Sequence, residues 1–202
     1  MNLLDLLKSN RILPIIRSTE PKEIIEKVGV IKNCGLDIVE INLVNTSIYE
    51  VLKDLSSDIK IVAGGVITEI QAQAAVDCGA KIISSPIFQK SLTKFSKDKL
   101  VPYIAGISTA NEAYEAWKSR IPVVKLFPIT AMGGVQYIEN LLRPMPFLNV
   151  IPQGDVKLKE IYKYVNAGAI SVGVGRDLTN LSISEMHDKL QQTLESLAKD
   201  VK

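Results

Sequence analysis

The chain has 202 residues, 24 lysines and arginines against 22 aspartates and glutamates, a formal charge of +2, and 47% apolar residues. That is enough apolar material for a full core, so one domain spanning 1–202 is expected, and so even a charge balance gives no particular attraction to nucleic acid or to a membrane surface. Cys34 and Cys78 stand in no metal or redox spacing and fit a reducing cytoplasm, while the lone histidine, His187, leaves no zinc site of histidines and cysteines in view.

Along the chain, residues 1–8 lack the basic start and long apolar core of a signal peptide and read as a short helix. No later stretch approaches the length of a transmembrane helix. The first β-branched run is Ile12–Arg17, followed by a helical stripe of Ile24, Ile25, Val28 and Ile31. Gly35 closes that helix before the second run, Leu36–Leu43, and Ser47-x-x-Glu50 has capping-box spacing. Ile59–Gly64 is the third run; Thr68-x-x-Gln71 starts the next helix and Gly79 ends it ahead of Lys81–Pro86. Lys90, Lys94 and Lys97 then recur at helical spacing, as on a solvated face. Val101–Ile107 precedes Thr109-x-x-Glu112 and a helix whose Tyr114 and Trp117 are expected to be packing residues. Pro122–Phe127, Asn149–Pro152 and Ala169–Gly175 complete the strands, with Gly133-Gly134 in a loop and Gly168 at a helix end. Ser182-x-x-Glu185 opens a last amphipathic helix, striped by Ile183, Met186, Leu190, Leu194 and Leu197.

Successive strand starts lie roughly 20–27 residues apart, near the ~30-residue size of a βα repeat. Alternating strands and helices argue for a parallel sheet, and eight units argue for a closed (β/α)8 TIM barrel behind a short N-terminal helix. The competing open, doubly wound sheet would place a glycine-rich fingerprint after its first strand, where this chain has Ile16-Arg17-Ser18-Thr19-Glu20.

In a barrel the active site lies at the C-terminal ends of the strands. Three charged residues interrupt apolar strands there: Arg17, Glu40 and Lys125. Their apolar neighbours Ile16, Val39, Ile41, Val124 and Leu126 point under the helices, because strand side chains alternate, so the charged three point into the barrel mouth. A lysine taken out of water tends to shed its proton and become a nucleophilic amine; a strand-end lysine can also snorkel to solvent or pair with an acid. Beside such an amine, Glu40 would move protons and Arg17 would grip a carboxylate bidentately. Amine, acid/base and carboxylate clamp together suit a 2-oxo acid: the amine forms an iminium that serves as the electron sink for carbon–carbon cleavage, with no cofactor needed. Asn42 faces the same side as Glu40 and could hydrogen-bond to it or to substrate.

On Ile15-Ile16-Arg17, Ile38-Val39-Glu40-Ile41, Ser85-Pro86, Ala105-Gly106-Ile107-Ser108-Thr109, Val124-Lys125-Leu126-Phe127-Pro128 and Gly173-Val174-Gly175, the chain resembles the 2-keto-3-deoxy-6-phosphogluconate and 4-hydroxy-2-oxoglutarate aldolases. The resemblance covers about residues 10–180. It implies a metal-independent class I aldolase that cleaves a 2-oxo-4-hydroxy acid to pyruvate and an aldehyde, and a homotrimer. It also implies Lys125 as the Schiff-base lysine, Glu40 as the acid/base, and Arg17, Gly64, Pro86, Phe127, Gly154, Gly173, Gly175 and Arg176 around the substrate. The chain departs from the family pattern at four points. Val44 stands where an arginine often binds the pyruvate carboxylate, and Gly64-Gly65 lacks the following threonine. Gln153-Gly154-Asp155 replaces Thr-Gly-Gly at the phosphate site, with Asp155 also readable as a helix N-cap, and Arg176 replaces a serine. Those departures leave two other readings open: a non-catalytic sugar-acid or phosphate binder, and another phosphate-binding barrel enzyme such as an isomerase or synthase.

Overall fold

The eight runs form eight parallel strands: β1 (Ile12–Ile16), β2 (Ile38–Asn42), β3 (Lys60–Gly64), β4 (Ile82–Ser84), β5 (Tyr103–Ile107), β6 (Val123–Leu126), β7 (Val150–Pro152) and β8 (Val172–Val174). The structure is a computed structural model and describes residues 2–199. Hydrogen-bonded neighbours run β7-β6-β5-β4-β3-β2-β1-β8, and Ile170 N donates to Val150 O (3.1 Å) across the remaining seam between β7 and β8. The result is a nearly closed (β/α)8 barrel. Each strand is shorter than its apolar run because the flanking residues already turn toward a helix.

The connecting helices are α2 (Pro21–Asn33), α3 (Ile48–Leu55), α4 (Glu69–Asp77), α5 (Lys90–Lys99), α6 (Ala110–Lys118), α7 (Val135–Leu142) and α8 (Ile161–Asn166). A four-residue turn of helix, α9 (Arg176–Thr179), follows β8, and α10 (Ile183–Lys199) packs back on α2. No helix among the described residues is long and apolar enough to cross a membrane.

Local chemistry sets the boundaries. Thr68 with Gln71 and Thr109 with Glu112 form reciprocal capping boxes, and Ser182 with Glu185 makes the same exchange. The fourth expected box does not form. Ser47 is itself helical rather than extended, and its hydroxyl donates to Asn45 Oδ1 (2.7 Å). Gly35, Gly79 and Gly168 all take the left-handed conformation that the short turn into the next strand requires. Tyr114 and Trp117 pack at the surface rather than against the sheet. Ala113 and Ala116 occupy the face of α6 that meets the sheet, and Trp117 stacks at the surface between Tyr114 and Phe147.

Two cores result. One lies between sheet and helices; the other fills the barrel's lower interior with Leu13, Ile38, Val62, Ile82, Ile104, Val123 and Ile151. The helix α1 (Leu3–Asn10) caps that inner layer from below with Leu3, Leu6 and Leu7. Asn10 ties α1 to the approach to β2, donating to Asp37 Oδ1 (2.7 Å).

Candidate active site

Alternation along the strands carries the inner layer upward from apolar to polar. Above Ile38 comes Glu40, above Ile82 Ser84, above Val123 Lys125 and above Ile151 Gln153. Glu40 is 1% and Lys125 4% exposed. The Lys125 ammonium donates to Ser84 Oγ (2.8 Å) and faces Glu40 Oε1 at 3.5 Å. Gln153 Nε2 donates to the other Glu40 oxygen at 3.1 Å. A buried charge pair holds only where its remaining hydrogen-bonding capacity is met, and Ser84 and Gln153 meet it here. Lys125 therefore does not snorkel: it stays inside, beside an acid.

Missing side chains make room for this cluster. A Cβ on Gly64 would lie 2.2 Å from Asn42 Oδ1 and 2.6 Å from Glu40 Oε1. On Gly173 it would lie 2.2 Å from Gln153 Cγ, and on Gly106 2.2 Å from the Pro86 carbonyl, where the Ser85-Pro86 backbone crosses the mouth. Gly64 and Gly173 thus lie against these polar side chains and leave room for them.

Above the cluster opens a cavity of about 850 Å³ lined by Arg17, Glu40, Pro86, Lys125, Phe127, Gly154, Gly175 and Arg176, together with Asn42, Val44 and Asp155. Arg17 lies one residue past β1, exposed at the rim, and forms no ion pair among the described residues. Asp155 is not a helix N-cap. It takes a left-handed conformation (φ 54°) in the turn after β7 and pairs with Arg176 from the turn after β8. Ser84 and Gln153 are neutral and so do not stand out as charged interruptions of an apolar strand. The signal for both is strand parity, each lying two residues beyond an inward-facing isoleucine.

The arrangement supplies a desolvated amine, a carboxylate within proton-transfer reach of it and a free guanidinium at the rim. The family model described as KDPG and KHG aldolase matches residues 3–193. The 2-dehydro-3-deoxy-phosphogluconate aldolase of Treponema pallidum (strain Nichols) is 27% identical over 168 residues, 82% of this chain and 80% of that one. The 2-dehydro-3-deoxy-6-phosphogalactonate aldolase of Escherichia coli (strain K12) is 28% identical over 172 residues, 83% of each. Among solved structures, a 4-hydroxy-2-oxoglutarate aldolase/2-deydro-3-deoxyphosphogluconate aldolase from TTHB1 superposes with a TM-score of 0.88 at 25% identity, over 98% of this chain and 99% of that one. This chain belongs to the KDPG and KHG aldolase family of class I, Schiff-base aldolases.

Proposed function

We propose that the chain cleaves a 2-oxo-4-hydroxy acid to pyruvate and an aldehyde, with Lys125 as the Schiff-base amine, Glu40 as the acid/base and Arg17 as the carboxylate clamp. One observation carries the reading: a lysine buried at the floor of the mouth, 3.5 Å from a buried carboxylate that can take its proton. The substrates in the relatives' names, 2-dehydro-3-deoxy sugar acids and 4-hydroxy-2-oxoglutarate, support the substrate class.

The steps follow from reach. Lys125 gives a proton to Glu40 and attacks C2 of the oxo acid. The former keto oxygen leaves as water, and an iminium forms. The C3–C4 bonding pair moves into the iminium to give an enamine while the C4 hydroxyl yields its proton to Glu40, directly or through a water, and the aldehyde departs. The enamine regains a proton at C3, and water hydrolyses the iminium to pyruvate and free lysine. Arg17 at the rim holds the C1 carboxylate, the task for which Val44 offers no cation. Pro86, Phe127, Gly154, Gly175 and Arg176 wall the substrate, while Gly64 and Gly173 seat the polar floor.

The same reading takes residues 1–202 as a single domain and, with two free thiols, a cytoplasmic protein. It also takes the homotrimer implied by the family. Ile67 and Ile87 on adjoining loops, 48% and 52% exposed, and Ile70 in the first turn of α4, 82% exposed, supply apolar surface for self-association.

The test is reductive trapping. Pyruvate with borohydride is expected to add about one pyruvate-derived unit per chain, mapped to Lys125. Lys125→Arg should abolish both trapping and turnover, because a guanidinium keeps its proton and cannot attack a carbonyl. An adduct on another lysine of active protein overturns the assignment.

A further inference from the structure

The charges of the mouth can be counted. Lys125 is matched by Glu40 and Arg176 by Asp155, which leaves Arg17 as the cation without an acidic partner among the described residues. A 2-oxo acid already brings one carboxylate for Arg17. Its far end extends toward the loops after β7 and β8, the place where barrels frequently build a phosphate site with a short extra helix. Here that place is filled by an ion pair, with Arg176 as the first residue of the short helix α9.

Both arms of the pair stand on fixed backbone. Gly154 (φ 110°) and Asp155 (φ 54°) are consecutive left-handed residues, and a Cβ on Gly154 would lie 2.9 Å from Pro128 Cα. The turn is tied to the loop after β6 by Thr130 Oγ1 donating to Gly154 O (2.6 Å) and Ile129 N to Gln153 O (2.7 Å). On the other side, the buried Lys27 ammonium donates to Thr179 O at the end of α9, and Leu158 N donates to Asp177 Oδ2 (2.8 Å). The carboxylate is therefore held in the mouth by its backbone and not only by Arg176.

Resting on the aldolase reading, we infer that the Asp155–Arg176 pair determines specificity at the substrate's far end and selects an uncharged, hydroxylated leaving aldehyde over a phosphorylated one. A hydroxyl can donate to Asp155 and accept from Arg176 at once. A phosphate dianion gains from Arg176 what it loses against Asp155, and the pair's net charge offers it nothing.

The experiment compares kcat/KM for 2-keto-3-deoxygluconate and its 6-phosphate, two substrates differing only in that group. Wild type is expected to prefer the unphosphorylated acid by about tenfold or more, since a phosphate dianion gives up hydration to meet a pair that returns no net attraction, while a hydroxyl bonds to both partners. Asp155→Asn, which tolerates the left-handed turn, frees Arg176 and should shift the ratio toward the phosphate ester by about tenfold. Arg176→Gln should shift it further the other way. Exchange of pyruvate methyl protons with deuterated solvent, which needs no aldehyde, is measured on each protein to normalise for folding. A wild-type preference for the phosphate ester that Arg176→Gln removes overturns the inference while leaving the aldolase intact. Absence of exchange in wild type overturns the aldolase reading and this inference with it.

Discussion

Glu40 is held from two sides: Oε1 faces Lys125, and Oε2 accepts the amide hydrogen of Gln153. The amide fixes the plane of the carboxylate, so the oxygen toward Lys125 stays where the proton must go. Replacing Glu40 with Gln keeps the shape and removes the base. That variant is expected to retain measurable pyruvate trapping while losing roughly 10²–10⁴-fold in turnover, the usual share of a positioned acid/base. Gln153→Leu keeps the bulk but leaves Glu40 unsteered; kcat should fall about tenfold with KM little altered, because substrate still meets Arg17 and the walls. If trapping and turnover fall together in Glu40→Gln, the carboxylate only prepares the lysine. The charged members of this cluster were legible in the sequence because a charge inside an apolar strand violates the pattern around it. Gln153 was not, because a neutral amide after Pro152 reads as an ordinary strand end. Its partner stands 113 positions away, and barrel closure alone brings them together.

Among the elements, the turn from β5 into α6 shows how a cap shapes the mouth. The Glu112 carboxylate accepts from Ser108 N (2.8 Å) and Thr109 N (2.8 Å), and the Ser108 amide, with Thr109, holds it below the usual range of glutamates. Ser108 Oγ in turn donates to Phe127 O (2.7 Å), so the capped loop supports a residue of the cavity wall. A carboxyl whose folded value is depressed stabilises the fold above its unfolded value and loses that contribution as pH falls through the folded one. Glu112→Ala should therefore cost about 0.5–1 kcal/mol at pH 7, reduced by solvent screening at so exposed a group. The deficit should shrink between pH 7 and an acid pH low enough that the wild-type carboxyl also takes up its proton. Urea unfolding at both pH values and fixed protein concentration measures it; a deficit that stays constant means the interaction is packing rather than charge. The Thr109 box could be read from spacing alone, and so could those at Thr68 and Ser182. The Ser47 box has the same spacing and fails because Ser47 itself takes helical rather than extended backbone angles, which spacing does not encode.

At the scale of the whole molecule, the barrel separates stability from chemistry along its axis. The upper interior is polar and spare, with glycines against Glu40, Asn42 and Gln153; the lower interior is apolar and closed by α1. The sequence foretold a short helix before β1 but not its role, since an amphipathic octet that plugs a barrel looks like one that lies on a surface. Leu7 is 0% exposed, packed in the inner cluster with Leu13, Ile38 and Val123, at the end of the strands opposite Lys125. Truncating it opens a cavity that surrounding strands, fixed by hydrogen bonds to their neighbours, cannot easily collapse. Leu7→Ala is expected to cost about 2–5 kcal/mol in urea unfolding at constant protein concentration. Pyruvate trapping and kcat should stay within about twofold of wild type, because stability in this fold resides at the N-terminal face and catalysis at the C-terminal face. A large loss of kcat in a Leu7 variant that remains folded would mean that the inner layer transmits strain upward through Ile38 to Glu40, and that the lower core sets the geometry of the site as well as the stability of the barrel.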